Sequence, residues 1–140
     1  MAQGDGVVYN EAKRAFLAGE IDLDAHTIKV ALVTGYSPDI DTDLGWSDIS
    51  GDEESGTGYT AGGATLASKA VTLDSGNDYG KFDAADVTWS GLDVGTPSHA
   101  VMYDDSHASD ALIAYWELTT ASNGGDYTLQ WHADGILTLA

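Results

Sequence analysis

Residues 27–34 read Thr27-Ile-Lys-Val-Ala-Leu-Val-Thr34 and decide the fold class. The run is rich in β-branched residues and is bounded by Asp24 and Gly35, so it predicts a β-strand. Both faces of this strand carry apolar side chains: Ile28, Val30 and Leu32 on one, Ala31 and Val33 on the other. We therefore expect the strand to be covered on one side and at least partly covered on the other.

Short apolar runs recur through the rest of the chain, separated by Gly, Asp, Asn and Ser. The further candidate strands are Ala64–Leu73, Gly80–Asp83, Asp86–Trp89, Ser98–Tyr103, Ala111–Glu117, Asp126–Trp131 and Gly135–Leu139. This spacing predicts an all-β fold, an antiparallel β-sandwich or jelly-roll-like domain of about seven to eight strands. Asp134-Gly135 predicts a tight hairpin between the last two strands.

One amphipathic segment precedes the strands. Within Val7–Gly19 the apolar side chains form one stripe: Val8, Tyr9, Ala12, Phe16 and Leu17. The spacing predicts one short N-terminal α-helix, which Gly19 would end as its C′ residue. Residues 1–7 are polar and glycine-bearing, so we expect a flexible arm there and a single domain over residues 8–140.

Residues 35–63 form a long, acidic connection, a kind of loop that is usually functional or mobile. Asp39, Asp41 and Asp43 alternate within it, as oxygen ligands of Ca²⁺ often do, but the glycine and glutamate of an EF-hand do not follow. The residues leave open a calcium site or a solvated loop. Trp46 is either a plug under this loop or an interface anchor. The other tryptophans lie in predicted strands and are expected in the core: Trp89, Trp116 and Trp131.

The composition of the chain bounds its class. It has 140 residues, enough for one domain, and no cysteine, so a disulfide framework or thiolate site is excluded. Its N-terminus lacks the pattern of a secretory signal, and no apolar run is long enough to span a membrane. We therefore expect a protein that stays soluble, with no membrane partner.

The charge is strongly one-sided, with 23 acidic residues against five basic ones and a net charge of -18. Such a field repels phosphate backbones and anionic membranes, so nucleic acid is not an expected partner. A hydrophobic content of 43% favours a folded core over disorder. Aspartate greatly outnumbers glutamate, which places the acidity mainly in turns.

No pattern assigns a catalytic, cofactor-binding or metal-ligating residue. Ser106-His107 beside Asp104 and Asp105 contains the letters of a catalytic triad, but a polar turn explains them better. Gly56–Gly63 resembles a phosphate-binding loop only loosely, because it lacks the Gly-Lys-Ser/Thr ending. With so many carboxylates, the sequence singles out no pair for hydrolysis. We expect no enzyme activity and no cofactor.

Several segments together resemble a family of small virion structural proteins of tailed phages. They are Tyr9-Asn10, Phe16-Leu-Ala-Gly-Glu-Ile-Asp-Leu23, Thr27–Thr34, Tyr36-Ser-Pro-Asp39, Gly56-Thr-Gly-Tyr-Thr-Ala-Gly-Gly63, Phe82-Asp-Ala-Ala-Asp-Val-Thr-Trp89, Leu112-Ile-Ala-Tyr115 and Ile136-Leu-Thr-Leu139. The resemblance covers nearly the whole chain. It implies a capsid decoration, or cement, protein that binds the major capsid protein on the capsid exterior, often as a trimer, after synthesis in the host cytoplasm. It implies no catalytic residue.

The sequence leaves other functions open. A tail, neck or fibre-associated virion component would carry the same resemblance. A carbohydrate- or cell-surface-binding module would be favoured by an exposed Trp46. The unusual acidity indicates a host in saline water, although net charge bears on solubility and not on fold.

Overall fold

Ten strands in antiparallel sheets and two short α-helices are found in the computed structural model, which describes residues 4–140. The strands are β1 (Val7–Val8), β2 (Ile28–Val33), β3 (Ala64–Thr65), β4 (Ala70–Asp74), β5 (Tyr79–Asp83), β6 (Val87–Trp89), β7 (His99–Asp104), β8 (Leu112–Glu117), β9 (Tyr127–Leu129) and β10 (Leu137–Leu139). The helices are α1 (Asn10–Leu17) and α2 (Trp46–Ile49), and a 3₁₀ turn follows at Ser50–Asp52. The predicted all-β class is confirmed.

The strands form three sheets. The largest has the order β1-β8-β7-β2-β3, a second has the order β10-β5-β4, and β6 pairs with β9. Strand β2 lies inside the largest sheet, and Ile28, Val30, Ala31, Leu32 and Val33 have no exposed surface. The strand that decided the fold class is thus covered on both faces.

Two consecutive residues of β8 show what covers the large sheet. Tyr115 and Trp116 point to opposite faces because side chains alternate along a strand. The Tyr115 ring packs edge-on against Tyr9, with centroids 5.6 Å apart. The Trp116 ring lies 5.0 Å from that of Trp131, beyond β9. One face therefore meets the residues next to α1, and the other meets the C-terminal part of the chain. Trp89, Trp116 and Trp131 are all buried, as predicted.

Helix α1 is shorter than the predicted segment, but its end is as expected. Gly19 has φ +73°, its N–H donates to Phe16, and the N–H of Glu20 donates to Ala15. This pair of bonds is a Schellman motif with Gly19 at C′. The start was predicted wrongly, because Val8 belongs to β1 and not to the helix. Leu17, placed in the apolar stripe, is 89% exposed.

The N-terminal arm, predicted to extend through residue 7, ends earlier than predicted. Val7 pairs with Tyr115, so the chain is already part of the large sheet at that point. Gly6 lies directly against the Trp116 ring, where a Cβ atom would approach the ring to 2.6 Å. Residues 1–3 of the predicted arm lie outside the described residues.

Two strand predictions need correction. The segment Ala64–Leu73 splits into β3 and β4, in different sheets, because the chain turns at Ser68, which has φ +55°. The hairpin predicted at Asp134-Gly135 does not join β9 to β10. Gly135 closes a turn with His132, and the N–H of Ile136 then donates to Phe82, which directs β10 onto β5.

The 35–63 connection is tied into the fold along its length. Besides α2, it forms isolated bridges from Glu53 to Val33, from Gly45 to Ala111 and from Thr57 to Asp93. The predicted long acidic loop therefore contains regular structure and is paired with other parts of the fold. Within residues 4–140, neither helix is long enough to cross a bilayer.

Candidate functional site

The residues that spell a catalytic triad do not form one. The Ser106 hydroxyl accepts a hydrogen bond from the N–H of Thr27 at 2.9 Å. His107 Nδ1 accepts from the N–H of Ser109 at 3.1 Å, and its Nε2 lies 3.5 Å from Glu20. Asp104 is fully buried and is paired with His26, whose Nδ1 lies 2.6 Å from Oδ2. Each group serves a different structural contact, as expected of a polar turn.

The three alternating aspartates of the 35–63 connection also serve separate partners. Asp39 Oδ1 accepts from the N–H groups of Asp41 and Thr42, and these bonds lower the pKa of Asp39. Asp43 Oδ2 accepts from the Tyr36 hydroxyl at 2.6 Å, and the Asp41 carboxylate accepts from the side chain of Asn10. Across residues 4–140, no group of three or more histidine and carboxylate side chains is arranged to hold a metal ion.

Trp46 fills space beneath the loop. Its ring is half-buried and lies parallel to Tyr103, with centroids 4.9 Å apart and an angle of 10° between the planes. The Tyr103 hydroxyl in turn donates to the carbonyl of Gly62 at 2.6 Å. Of the two interpretations of Trp46, the structure supports a plug, which links the middle of the 35–63 connection through Tyr103 to its end at Gly62.

Two clefts among the described residues are open to solvent. One of about 390 Å³ is lined by Asp5, Tyr79, His132 and Asp134, among others. Another of about 380 Å³ lies beside Trp116 and Glu117. His132 Nδ1 is 3.8 Å from Asp134 and also accepts the N–H of that residue, so this pair closes a turn. Neither cleft places a nucleophile beside a base.

The most unusual surface is one face of the β10-β5-β4 sheet. Residues that are directly paired on neighbouring strands lie on the same face of the sheet. On this face, two rows of paired residues run across β4, β5 and β10. The first row is Val71, Phe82 and Leu137, and the second is Leu73, Gly80 and Leu139. Phe82 is buried in the core, whereas Leu73 is 79% and Leu139 78% exposed. The apolar face therefore extends past the edge of the core.

We call the exposed part of this face, Val71, Leu73, Gly80 and Leu139, the apolar overhang. Val71, on the edge strand β4, is 55% exposed. A Cβ atom placed on Gly80 would have no neighbour within 4 Å, so the space above this residue is open. Since neighbouring strands lie about 4.8 Å apart, Leu73 and Leu139 flank a notch about 10 Å wide between their backbones.

The end of the apolar overhang is acidic. Asp78 is exposed in the turn that joins β4 to β5, just before Gly80. Asp74 ends β4 and, because it alternates with Leu73, belongs to the opposite face. Asp74 accepts hydrogen bonds from the backbone and side chain of Asn77, which lower the pKa of Asp74 and keep it ionised at neutral pH. Lys81 belongs to the opposite face, because it alternates with Gly80.

The basic residues that could offset this charge are few and mostly engaged. Arg14 pairs with Glu11 and Glu20, each at 2.6 Å. Lys29 lies 3.4 Å from Asp105, and Lys69 donates to the carbonyl of His26. The outer surface is therefore dominated by negative charge, and the apolar overhang is a neutral area within it.

Sequence reasoning missed the apolar overhang. Its signal was present in the alternation of Val71 with Leu73 and of Leu137 with Leu139. Alternation shows that a strand has one apolar face, but it does not show which strand lies beside it. The misassigned hairpin placed β10 next to β9, so Leu139 and Leu73 could not be brought together.

Comparison of the chain with protein-family models, with curated proteins and with solved structures finds no match.

Proposed function

We propose that this chain is a phage virion structural protein, a capsid decoration protein that binds the major capsid protein on the outer surface of the head and stabilises it. The observation that carries the proposal is the apolar overhang. Exposed apolar patches of this kind mark sites of protein association. The resemblance of the sequence to small tailed-phage virion proteins supports the viral shell as the place of that association.

A binding function also fits the use of the polar groups. The histidines and aspartates that sequence reasoning weighed for chemistry close turns or have structural partners, as Asp104 has in His26. A protein that only docks needs such groups for stability and not for reaction. That the chain is not an enzyme remains part of the proposal.

The size of the apolar overhang fits a lattice of many copies. Burying an exposed leucine or valine side chain contributes about 1.5–3 kcal/mol. Three such side chains contribute about 4.5–9 kcal/mol, which is comparable to the cost of association, about 4–15 kcal/mol. Contact by a single copy is then weak, while copies linked to one another on a shell bind with much higher avidity. A homotrimer, which the resemblance implies, would supply that linkage through a surface other than the apolar overhang.

Counting copies in purified virions tests the proposal. We expect hundreds of copies per particle by quantitative mass spectrometry, and density for the chain on the outside of the head in an electron-microscopy map. A few or a few dozen copies, with density at the neck or tail, would replace capsid decoration by the tail-associated alternative. Absence of the chain from the particle would reject both. Sedimentation of the purified protein tests the trimer.

The carbohydrate-binding alternative has no support from Trp46. An exposed Trp46 would favour that alternative, but Trp46 is half-buried and packs against Tyr103. The copy number per virion, described above, tests the alternative of a tail, neck or fibre location.

A further inference from the structure

We infer that the apolar overhang docks on a partner protein surface that presents one bulky apolar side chain, seated over Gly80, with lysine or arginine beside it. This inference rests on the proposed function, because the partner is taken to be the outer surface of the capsid shell. It adds the chemistry of the contact, which the proposed function leaves unspecified.

The notch defines the central element of the partner. Leu73 and Leu139 form its two walls, and buried Phe82 lies at its inner end in the neighbouring row. The floor is the backbone of Gly80, with open space above it. A protruding aliphatic or aromatic side chain would contact all three apolar residues at once, which is how anchor residues fill pockets at protein interfaces.

The charges define the rim of the partner and argue against a second copy of this chain. Asp78 lies in the exposed turn at the end of the notch, and the chain carries a net charge of -18. Two copies meeting through the apolar overhang would bring like charges together in a region of reduced dielectric, which opposes association. A partner with basic side chains around its apolar centre would instead gain attraction at the rim.

Gly80 makes the inference testable without damaging the fold. Its backbone angles lie outside the left-handed region, and an added Cβ atom meets no neighbour, so larger residues fit the strand. Gly80→Val fills the notch while keeping the face apolar. Leu73→Asp removes one wall and adds a negative charge. Leu17→Asp is the matched control, because Leu17 is equally exposed but lies on α1.

The experiment measures binding of purified wild-type and variant protein to decoration-free heads from the phage that encodes the chain. Circular dichroism and thermal melting establish that each variant is folded. We expect Gly80→Val to weaken binding at least ~10-fold and Leu73→Asp ~100-fold, as for central interface residues, with Leu17→Asp within about twofold of wild type. Raising the salt concentration should weaken wild-type binding, because rim attraction is screened.

The outcomes separate the inference from the proposed function. If wild type binds the heads and the two overhang variants bind equally well, the docking surface is wrong and capsid decoration stands. If wild type does not bind the heads, both the docking surface and the proposed capsid decoration are rejected. Binding that strengthens with salt, or a self-associated wild type that Gly80→Val dissociates, would identify a second copy as the occupant and overturn the basic rim.

Discussion

The hydroxyl of Tyr9 lies 2.8 Å from the hydroxyl of Tyr36, and this contact joins the start of α1 to the 35–63 connection. Tyr36 gives its own proton to Asp43 at 2.6 Å, so Tyr9 is the donor to Tyr36. Burial raises the pKa of Tyr9, which keeps its hydroxyl protonated and able to donate. The chain of bonds runs from a fully buried side chain to the acidic loop.

Removing the central hydroxyl should destabilise the protein. Tyr36→Phe leaves the buried Tyr9 hydroxyl without an acceptor, and we expect it to lower the free energy of unfolding by about 1–3 kcal/mol, measured by urea denaturation. Tyr115→Phe is the matched control: its ring contacts Tyr9 and His99, and no hydrogen bond of its hydroxyl is found within residues 4–140. Equal losses for both variants would show that the bonds contribute nothing specific.

Gly63, just before β3, and Gly80, in β5, should respond oppositely to replacement by alanine. Gly63 has φ +83°, and a Cβ atom there would overlap the carbonyl of Val30, so Gly63→Ala must displace the backbone beside β2. We expect a loss of more than about 1 kcal/mol. Gly80 has neither constraint, and Gly80→Ala should raise stability by about 0.5–1 kcal/mol. Thermal melting of the pair checks this, and a shift of the same sign for both would contradict the geometry.

Local sequence patterns predicted the strands and helices of this fold better than they predicted which strands pair with each other. The buried strand at Ile28–Val33 and the helix end at Gly19 follow from alternation and from turn chemistry, which act over a few residues. The pairing of β10 with β5 depends on where the chain leaves Gly135, and no local preference specifies that direction. The apolar overhang exists only through this pairing, so it could not be predicted.

The same limit applies to the polar residues. Asp39, Asp41 and Asp43 have the spacing of metal ligands. The spacing does not show that Asn10 donates a hydrogen bond to Asp41 and Tyr36 donates one to Asp43. Ser106 and His107 are adjacent in sequence and yet bond to Thr27 and Ser109 instead of to each other. Composition placed these groups in turns correctly, while their partners follow from tertiary structure.

Calcium should leave the protein unchanged. Hydrogen bonds hold Asp39, Asp41 and Asp43 in orientations that do not group them as metal ligands, so a bound ion would have to reorient their side chains. We expect about 10 mM CaCl₂, well above the dissociation constants of most calcium sites, to shift the melting temperature by less than about 1 °C. An equal concentration of MgCl₂ controls for ionic strength. A calcium-specific rise that Asp41→Asn abolishes would restore the calcium site.

His99 should make stability depend on pH near neutrality. The side chain is buried between Tyr36 and Tyr115, and burial lowers its pKa, with Glu117 acting in the opposite direction. In the unfolded chain the histidine pKa is about 6.5, so the unfolded state takes up the proton first as pH falls. The contribution of neutral His99 is complete above that pH and is lost as pH falls through the folded pKa.

Urea denaturation at pH 7.5 and pH 5.5 measures this effect. We expect wild type to lose more stability than His99→Gln over this range, by at most about 1.4 kcal/mol per pH unit. Glu54 works in the other direction, because burial raises its pKa, but it does so equally in both proteins. Identical pH dependence in the two proteins would mean that His99 titrates normally in the fold.

Asp104 and Asp105 are neighbours in sequence and should differ sharply when replaced by alanine. Asp104 has no exposed surface, and its two carboxylate oxygens accept from His26 and from the N–H of Ser106. Asp104→Ala removes the acceptor of two partly buried groups, the His26 ring and the N–H of Ser106, and we expect a loss of about 1–3 kcal/mol. The Asp105 carboxylate is 37% exposed and lies 3.4 Å from Lys29, so Asp105→Ala should cost no more than about 1 kcal/mol. Urea denaturation ranks the two variants, and equal losses would remove the argument that the contacts of buried Asp104 with His26 and Ser106 stabilise the turn after β7.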